Sequence, residues 1–479
     1  AGRRVVVLEA GSGQQAPDYD QHELKGMQNL YLGRGLTASH DLGVAILAGA
    51  TLGGGTAVNW QTSLRLPPSI RDEWAERSGC RQFVEGEFDE AIAAVTTRLG
   101  INTRESHINP NNAVLRDGCT ALGYPWTIIP RNADGCDYAQ CGYCCYGCRH
   151  GGKQSTTVTY LRDAQQTGRT TIVAHCKVER IVRSRGRVMG VVAEAADPAT
   201  GRRYPVEVRA PVVVVAAGSI QSPALLLRSG IEGPAVGQHL YLHPTSAVAG
   251  IYRDPIRAWI GPPQTILSEE LAFMSGNYGV RLEAAPLHPG LLALATPWLS
   301  ARGHRRQMQQ MAHTSALIVL ERDENGGRVR IGRDGRAVIR YRLGAQERDH
   351  IQRGIAAAAR VHLAAGTTEV LVPHTSEPGL RRVSELAPAR IEEFCQELGR
   401  RAVDRNWSTL FSAHQMGTCR MGRDARTAVC DGTGAVFGVR GLFVADASAF
   451  PASSGVNPML TVMALAHMVA QHIKQVPMA

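Results

Sequence analysis

A β-branched run at the start of the chain, Arg4 to Leu8, closes on an acid, Glu9, followed by Ala10 and Gly11. Apolar residues that run on without alternation suit a strand of a parallel sheet buried on both faces. An acid at the end of such a strand is how the second strand of a dinucleotide-binding unit reads, because its carboxylate accepts hydrogen bonds from ribose hydroxyls. The Gly-rich fingerprint of that unit belongs about 20 residues earlier, ahead of Ala1. Gly11, Gly13 and Ala16 fit G-x-G-x-x-A, but Pro17 and the polar residues after it do not open an apolar helix. We read them as the loop after a second strand, with about 30 residues of the first strand and its Gly-rich loop expected to be missing.

Short strands recur around Ile172, from Val178 to Val182, Val188 to Glu194, Tyr204 to Arg209 and Val212 to Ala217, with turns at Arg185-Gly186 and Pro198 to Gly201 between them. Beyond His243 the chain is polar and punctuated by proline. A hairpin is expected from Val329 to Leu343, turning at Asp334-Gly335, and then a helix from Ala345 to Ala365 closed by Gly366. Buried-strand texture returns at Leu442 to Ala445, and a last helix is expected from Pro458 to Ile473. This pattern predicts an α/β chain: a Rossmann-like nucleotide-binding domain with an inserted α+β domain built on an antiparallel sheet.

Glycine and polar residues mark the candidate chemistry. Gly53, Gly54 and Gly55, followed by Thr56 to Asn59, let backbone amides approach a pyrophosphate or a flat ring, although a tight packing loop reads the same way. The strand ending at Ala217 meets Gly218 and a Leu-rich helix, a second strand-glycine-helix junction. His414-Gln-Met-Gly-Thr-Cys-Arg-Met-Gly422 lies near the end, with Asn457-Pro458 beyond it. Asn457 is expected as the N-cap of the last helix, with Pro458 as its first residue and its positive end aimed at an anion. His414 suits a proton acceptor near neutral pH.

Taken in order, these segments resemble the glucose-methanol-choline (GMC) family of FAD-dependent alcohol oxidoreductases. The acid-ended strand, GGGTAVNW at 53–60, AAGSIQSPALLLRSGI at 216–231, HQMGTCRMG at 414–422 and VADASAFPASSGVNPMLTVMALA at 444–466 carry the likeness. Glu232 stands where the family's second signature ends in glycine. Within the family, CGYCCYGCRHGGKQSTTVTYL at 141–161, HPTSAVAG at 243–250 and LHPGLLA at 287–293 are similar to the long-chain fatty alcohol oxidase branch.

The resemblance implies FAD as cofactor, with Glu9 at the adenosine ribose and the backbone around Val178 at the adenine. It puts Gly54, Gly55 and Asn59 along the pyrophosphate and flavin, and Gly218, Asp446, Ala447 and Pro458 around the rest of the cofactor. His414 and Asn457 fall on the catalytic pair. The implied reaction is oxidation of a primary, long-chain aliphatic alcohol to the aldehyde, with His414 as base and His414 and Asn457 as donors to the developing oxyanion. A sterol or aromatic alcohol remains the alternative substrate, and a truncated remnant unable to hold FAD the alternative to an enzyme. Residues 1–60, 151–243 and 405–479 are expected to form the FAD-binding domain. Residues 61–150 and 244–404 are expected to form the substrate domain and a Cys-rich connection. Leu291 to Leu299 is read either as the lining of a chain-binding tunnel or as ordinary core.

Charge and cysteine content bound the partners. The 52 basic residues outnumber 42 acids, and all but Lys25, Lys153, Lys177 and Lys474 are arginine. They are scattered and aromatics make up 5%, which argues against a nucleic-acid surface. Peripheral attraction to an acidic membrane surface stays open. The expected partners are a small alcohol and an electron acceptor, oxygen or a redox carrier, and the expected location is cytoplasmic. Cys136, Cys141, Cys144, Cys145 and Cys148, five of the 11 cysteines, are read as free buried thiols or a local disulfide before an iron-sulfur or zinc site. No metal ligand is therefore assigned.

Overall fold

In the computed structural model, which describes residues 2–375, 381–382 and 387–476, strand Val5–Leu8 pairs in parallel with Thr170–Val173. Val213–Val215 pairs in parallel with Leu442–Val444. These are the β-branched runs that the sequence marks, but burial is not as expected at the first of them. Val5 and Val6 are 47% and 46% exposed, and Val214 in the other pair is 44% exposed. Each parallel pair covers only part of its own apolar surface, which larger parallel sheets hide with further strands and helices. The meander follows as an antiparallel sheet of Cys176–Ser184, Arg187–Ala196 and Arg203–Arg209. Its first hairpin turns through Arg185 and Gly186, both at positive φ, as a two-residue hairpin turn requires.

The last helix spans Met459–Gln475 and packs on Glu87–Leu99. Its N-cap position is held by Pro458 without a side-chain bond, so Asn457 does not cap it as the sequence suggests. Trp74 of helix Pro68–Ser78 anchors the core beneath, its ring 4.7 Å from that of Phe450 and 5.3 Å from that of Phe83. Residues 66–99, expected in the substrate domain, thus share one core with Leu442–Val444 and the last helix.

A second core lies between an antiparallel sheet and helix Ala345–Ala364. Thr245–Ile251 pairs with Thr314–Glu321, which pairs with Val280–Ala284, which pairs with Ile266–Ser268. The expected hairpin forms from Gly327–Ile331 and Ala337–Arg340. Gly366 sits at φ +82° just past the long helix, the left-handed position that ends it. Residues 376–380 and 383–386, inside the expected substrate segment, lie outside the described residues.

Candidate active site

Strand Val280–Ala284 carries the site because its two faces differ. Val280, Leu282 and Ala284 enter the second core, so the strand's period of two turns Arg281 and Glu283 the other way. Both are almost wholly buried, Arg281 at 1% and Glu283 at 0% exposure. Arg281 donates to the Gly455 carbonyl and pairs with Glu269 at 2.9 Å. One Glu283 oxygen accepts Asn457 Nδ2 at 3.2 Å and Gln264 Nε2 at 2.7 Å. The other has no hydrogen-bond partner. Burial outweighs those donors and Arg281 and raises the Glu283 pKa to about 6.

The turn ahead of the last helix is fixed from below. Arg322 donates through Nε to the Ser453 carbonyl at 3.1 Å and grips Glu73 with both terminal nitrogens at 2.8 and 3.0 Å. Ser453 Oγ donates to the Asp323 carbonyl at 2.6 Å. The Asp323 carboxylate takes the backbone N–H of Leu242 and of His243 and the hydroxyl of Tyr341. Burial raises its pKa to about 7.

His243 joins this turn to His414. The Gly455 N–H donates to His243 Nε2 at 3.0 Å, and His243 Nδ1 lies 3.2 Å from His414 Nδ1. Burial pushes the pKa of both rings down, His414 to about 4. His414 is therefore linked through His243 to the turn that carries Asn457, which lies two residues beyond Gly455. His243, Glu283, Arg281, Gln264, Arg322 and Asp323 were not singled out from the sequence. The available signal was charge inside apolar strands: VRLEA at 280–284 and VLERD at 319–323.

The residues expected around the cofactor form one connected set. Glu9 Oε1 accepts the Gly11 N–H at 2.6 Å, and its carbonyl accepts from Cys176, two residues before Val178. Ser12 bridges to Thr51, just before Gly54 and Gly55. Asn59 Nδ2 lies 2.9 Å from Met459 Sδ, beside Pro458. The Asp446 carboxylate is already engaged by the Gly218 N–H, the Ser222 hydroxyl and the Ser448 N–H. It ties the start of helix Gly218–Arg228 to the end of strand Leu442–Val444. The Gly417 N–H donates to the Ala447 carbonyl, and Ser219 Oγ to the Gln415 carbonyl, which binds the His414 loop to the same corner.

All eleven cysteines are free, and no three His, Cys, Asp or Glu side chains among the described residues converge as metal ligands. Buried Lys153 organises the Cys-rich segment, donating to the carbonyls of Ala57, Asn59 and Cys144 at 2.7–2.8 Å. Of the 291–299 stretch, Leu292 is buried in a small core with Ala285 and Leu287, whereas Leu294, Trp298 and Leu299 are 64%, 68% and 45% exposed and fill no core.

Two models of the GMC oxidoreductase family match residues 27–245 and 323–466. Two long-chain-alcohol oxidases of Arabidopsis thaliana are 32% and 34% identical over 99% of this chain, which spans 66% and 64% of their length. An uncharacterized GMC-type oxidoreductase of Mycobacterium tuberculosis is 32% identical, with 98% of this chain and 72% of that protein aligned. Among solved structures, pyridoxine 4-oxidase from Mesorbium loti superposes with TM-score 0.70 at 20% identity, covering 99% of this chain and 95% of its own. Formate oxidase from Aspergillus oryzae superposes at 0.66 and 14% identity, covering 98% and 93%. The chain belongs to the GMC oxidoreductase family, a family of FAD-binding flavoproteins.

The residues present fit that cofactor. A Cβ placed on Gly54, Gly55 or Gly218 would meet no atom within 4 Å. Three glycines that packing does not demand leave bare backbone facing open space, which suits close approach of a phosphate or flavin.

Proposed function

We propose that this chain belongs to an FAD-dependent oxidase of primary alcohols, with long-chain aliphatic alcohols as substrates. The observation that carries the reading is the His414–His243–Gly455 chain of contacts. It links the His414 ring to the turn that carries Asn457, whose amide donates to Glu283, and this supports the reading. His414 and Asn457 bind the alcohol oxygen and stabilise the negative charge that grows on it as its proton leaves. Glu9, the backbone of Gly54, Gly55 and Val178, Asn59, Gly218, Asp446, Ala447 and Pro458 hold FAD. When bound, FAD supplies the acceptor for the carbinol hydride. The long-chain relatives that align over nearly the whole chain favour an aliphatic substrate over a sterol or aromatic alcohol.

The two-domain division follows with one change: residues 66–99 go with the cofactor side, whose core they share. Anaerobic mixing of FAD-loaded protein with a homologous series of primary alcohols tests the function. Flavin reduction that strengthens with chain length is expected, and stoichiometric hydrogen peroxide on aeration marks an oxidase. Reduction by sterols or benzylic alcohols alone would replace the substrate class.

A further inference from the structure

We propose that Ser275, His350 and Glu321 form a second catalytic site, a serine nucleophile with its general base, that cleaves small carboxylic esters. The site stands apart from the alcohol-oxidation reading and shares no residue with it. Ser275 Oγ lies 3.0 Å from His350 Nε2, and His350 Nδ1 lies 3.0 Å from Glu321 Oε1. The hydroxyl meets one ring nitrogen and the carboxylate the other. In that order a base can take a serine proton while the acid behind it holds the ring. Such a constellation is defined by geometry and not by neighbouring sequence. The three residues come from separate elements: a turn at 275–278, helix Ala345–Ala364 and strand Thr314–Glu321. Exposure is graded as the chemistry needs, with His350 at 1% and Glu321 at 0% but Ser275 open to solvent.

The turn holds the hydroxyl in place. Ser275 and Tyr278 exchange backbone hydrogen bonds of 2.9 and 3.2 Å, and Gly276 between them takes φ +63°, a position where glycine is favoured. Asn277 Nδ2 donates to Glu73 and to the Ser69 carbonyl, and the Tyr278 hydroxyl donates to Glu73. The N–H groups of Gly276 and Asn277 bond to nothing among the described residues. Two donors beside the nucleophile are thus free for an oxyanion. Phe273, 50% exposed, adds an apolar surface two residues away. Burial lowers the His350 pKa and keeps the ring neutral. Its single proton sits on Nδ1, toward Glu321, and Nε2 keeps a lone pair for Ser275. Burial and the carboxylates Asp323 and Glu347 raise the Glu321 pKa, while Arg322 opposes them, so the Nδ1 proton meets a strong acceptor. In the step, Ser275 Oγ bonds to the ester carbonyl carbon as its proton moves to His350 Nε2. The bond from that carbon to the alkoxy oxygen then breaks, the departing alkoxide takes the proton, and the acyl group stays on Ser275. Water, deprotonated by His350, attacks the acyl-serine and releases the carboxylic acid and the free hydroxyl.

Two probes test the site on the FAD-loaded protein. A fluorophosphonate is expected to label Ser275, located by peptide mass spectrometry. The ester p-nitrophenyl acetate is expected to give a burst of p-nitrophenolate stoichiometric with the chain, the mark of an acyl-enzyme. Ser275→Ala is expected to abolish both and to keep wild-type flavin content. His350→Gln is expected to slow labelling by at least about 100-fold, and Glu321→Gln to slow it in the same direction. An unlabelled Ser275, or a burst that survives Ser275→Ala, overturns the proposal. Labelling of His350→Gln within about threefold of wild type overturns it as well, since no base then acts on the hydroxyl. Should His350→Gln fail to fold, Ser275→Ala still decides, because its side chain lies at the surface.

Discussion

Gly455 takes φ +66°, and a Cβ there would lie 2.8 Å from Arg322 Cδ and 2.9 Å from Ile70 Cδ1. One residue thus combines a backbone conformation that other residues resist with a space they cannot enter, and its N–H donates to His243. Gly455→Ala is expected to lower stability by about 1–3 kcal/mol, read by thermal melting. Lys153 is the corresponding residue on the cofactor side. Its ammonium satisfies three buried carbonyls, two of which belong to the turn from Ala57 to Asn59. Lys153→Met leaves those carbonyls without a donor. It is expected to cost about 1–3 kcal/mol or more and to weaken FAD binding, measured by flavin titration; unchanged affinity would uncouple the Cys-rich segment from the cofactor.

At the scale of elements, strand Val280–Ala284 and the turn 453–457 form a working unit because buried arginines span them. Arg322 is fully buried and its partner Glu73 nearly so. Arg322→Met removes the bidentate partner of Glu73, which keeps Arg77, Tyr278 and Asn277, and a loss of about 1–3 kcal/mol is expected in a chemical denaturation curve. How much of this was legible in sequence differs by element. Val5–Leu8, the meander, the hairpin and helix Ala345–Ala364 announce themselves through period and turn chemistry. His414 and Asn457 stood out through the order of motifs. His243, Glu283 and Arg322 did not, because their roles depend on contacts between segments as far apart as Arg322 and Ser453. Asn457 illustrates the limit: local chemistry made it a helix cap, whereas the tertiary partner Glu283 claims its amide.

For the whole molecule, the buried ionisable groups couple stability to pH in opposing directions. Glu283 and Asp323 have raised pKa values, about 6 and about 7, so the folded chain binds their protons more readily than the unfolded one. Their contribution is full below the ordinary carboxylate values and is lost as pH rises through 6 and 7. His243 and His414 are lowered and act in the opposite sense: their contribution is full above the ordinary histidine value and lost as pH falls. The clean reading is a difference. Relative to Glu283→Gln, wild-type melting temperature is expected to decline as pH rises through about 6; a flat difference would mean that Glu283 does not titrate there. FAD binding should stabilise the fold by about 2.7 kcal/mol at a hundredfold excess over its Kd. Two-stranded parallel pairs with half-exposed valines make the cofactor side the part of the molecule with most to gain.

The central claim is that His414 and Asn457 bind an alcohol for oxidation in an FAD-loaded GMC fold. Stopped-flow reduction of the flavin by a long-chain primary alcohol, without oxygen, tests it most directly. Rapid bleaching is expected in the wild type, with a rate at least about 100-fold lower in His414→Ala, the size of effect that follows loss of an oxyanion donor. Bleaching at the same rate in both proteins, or none in a wild type that retains its flavin, would contradict the account.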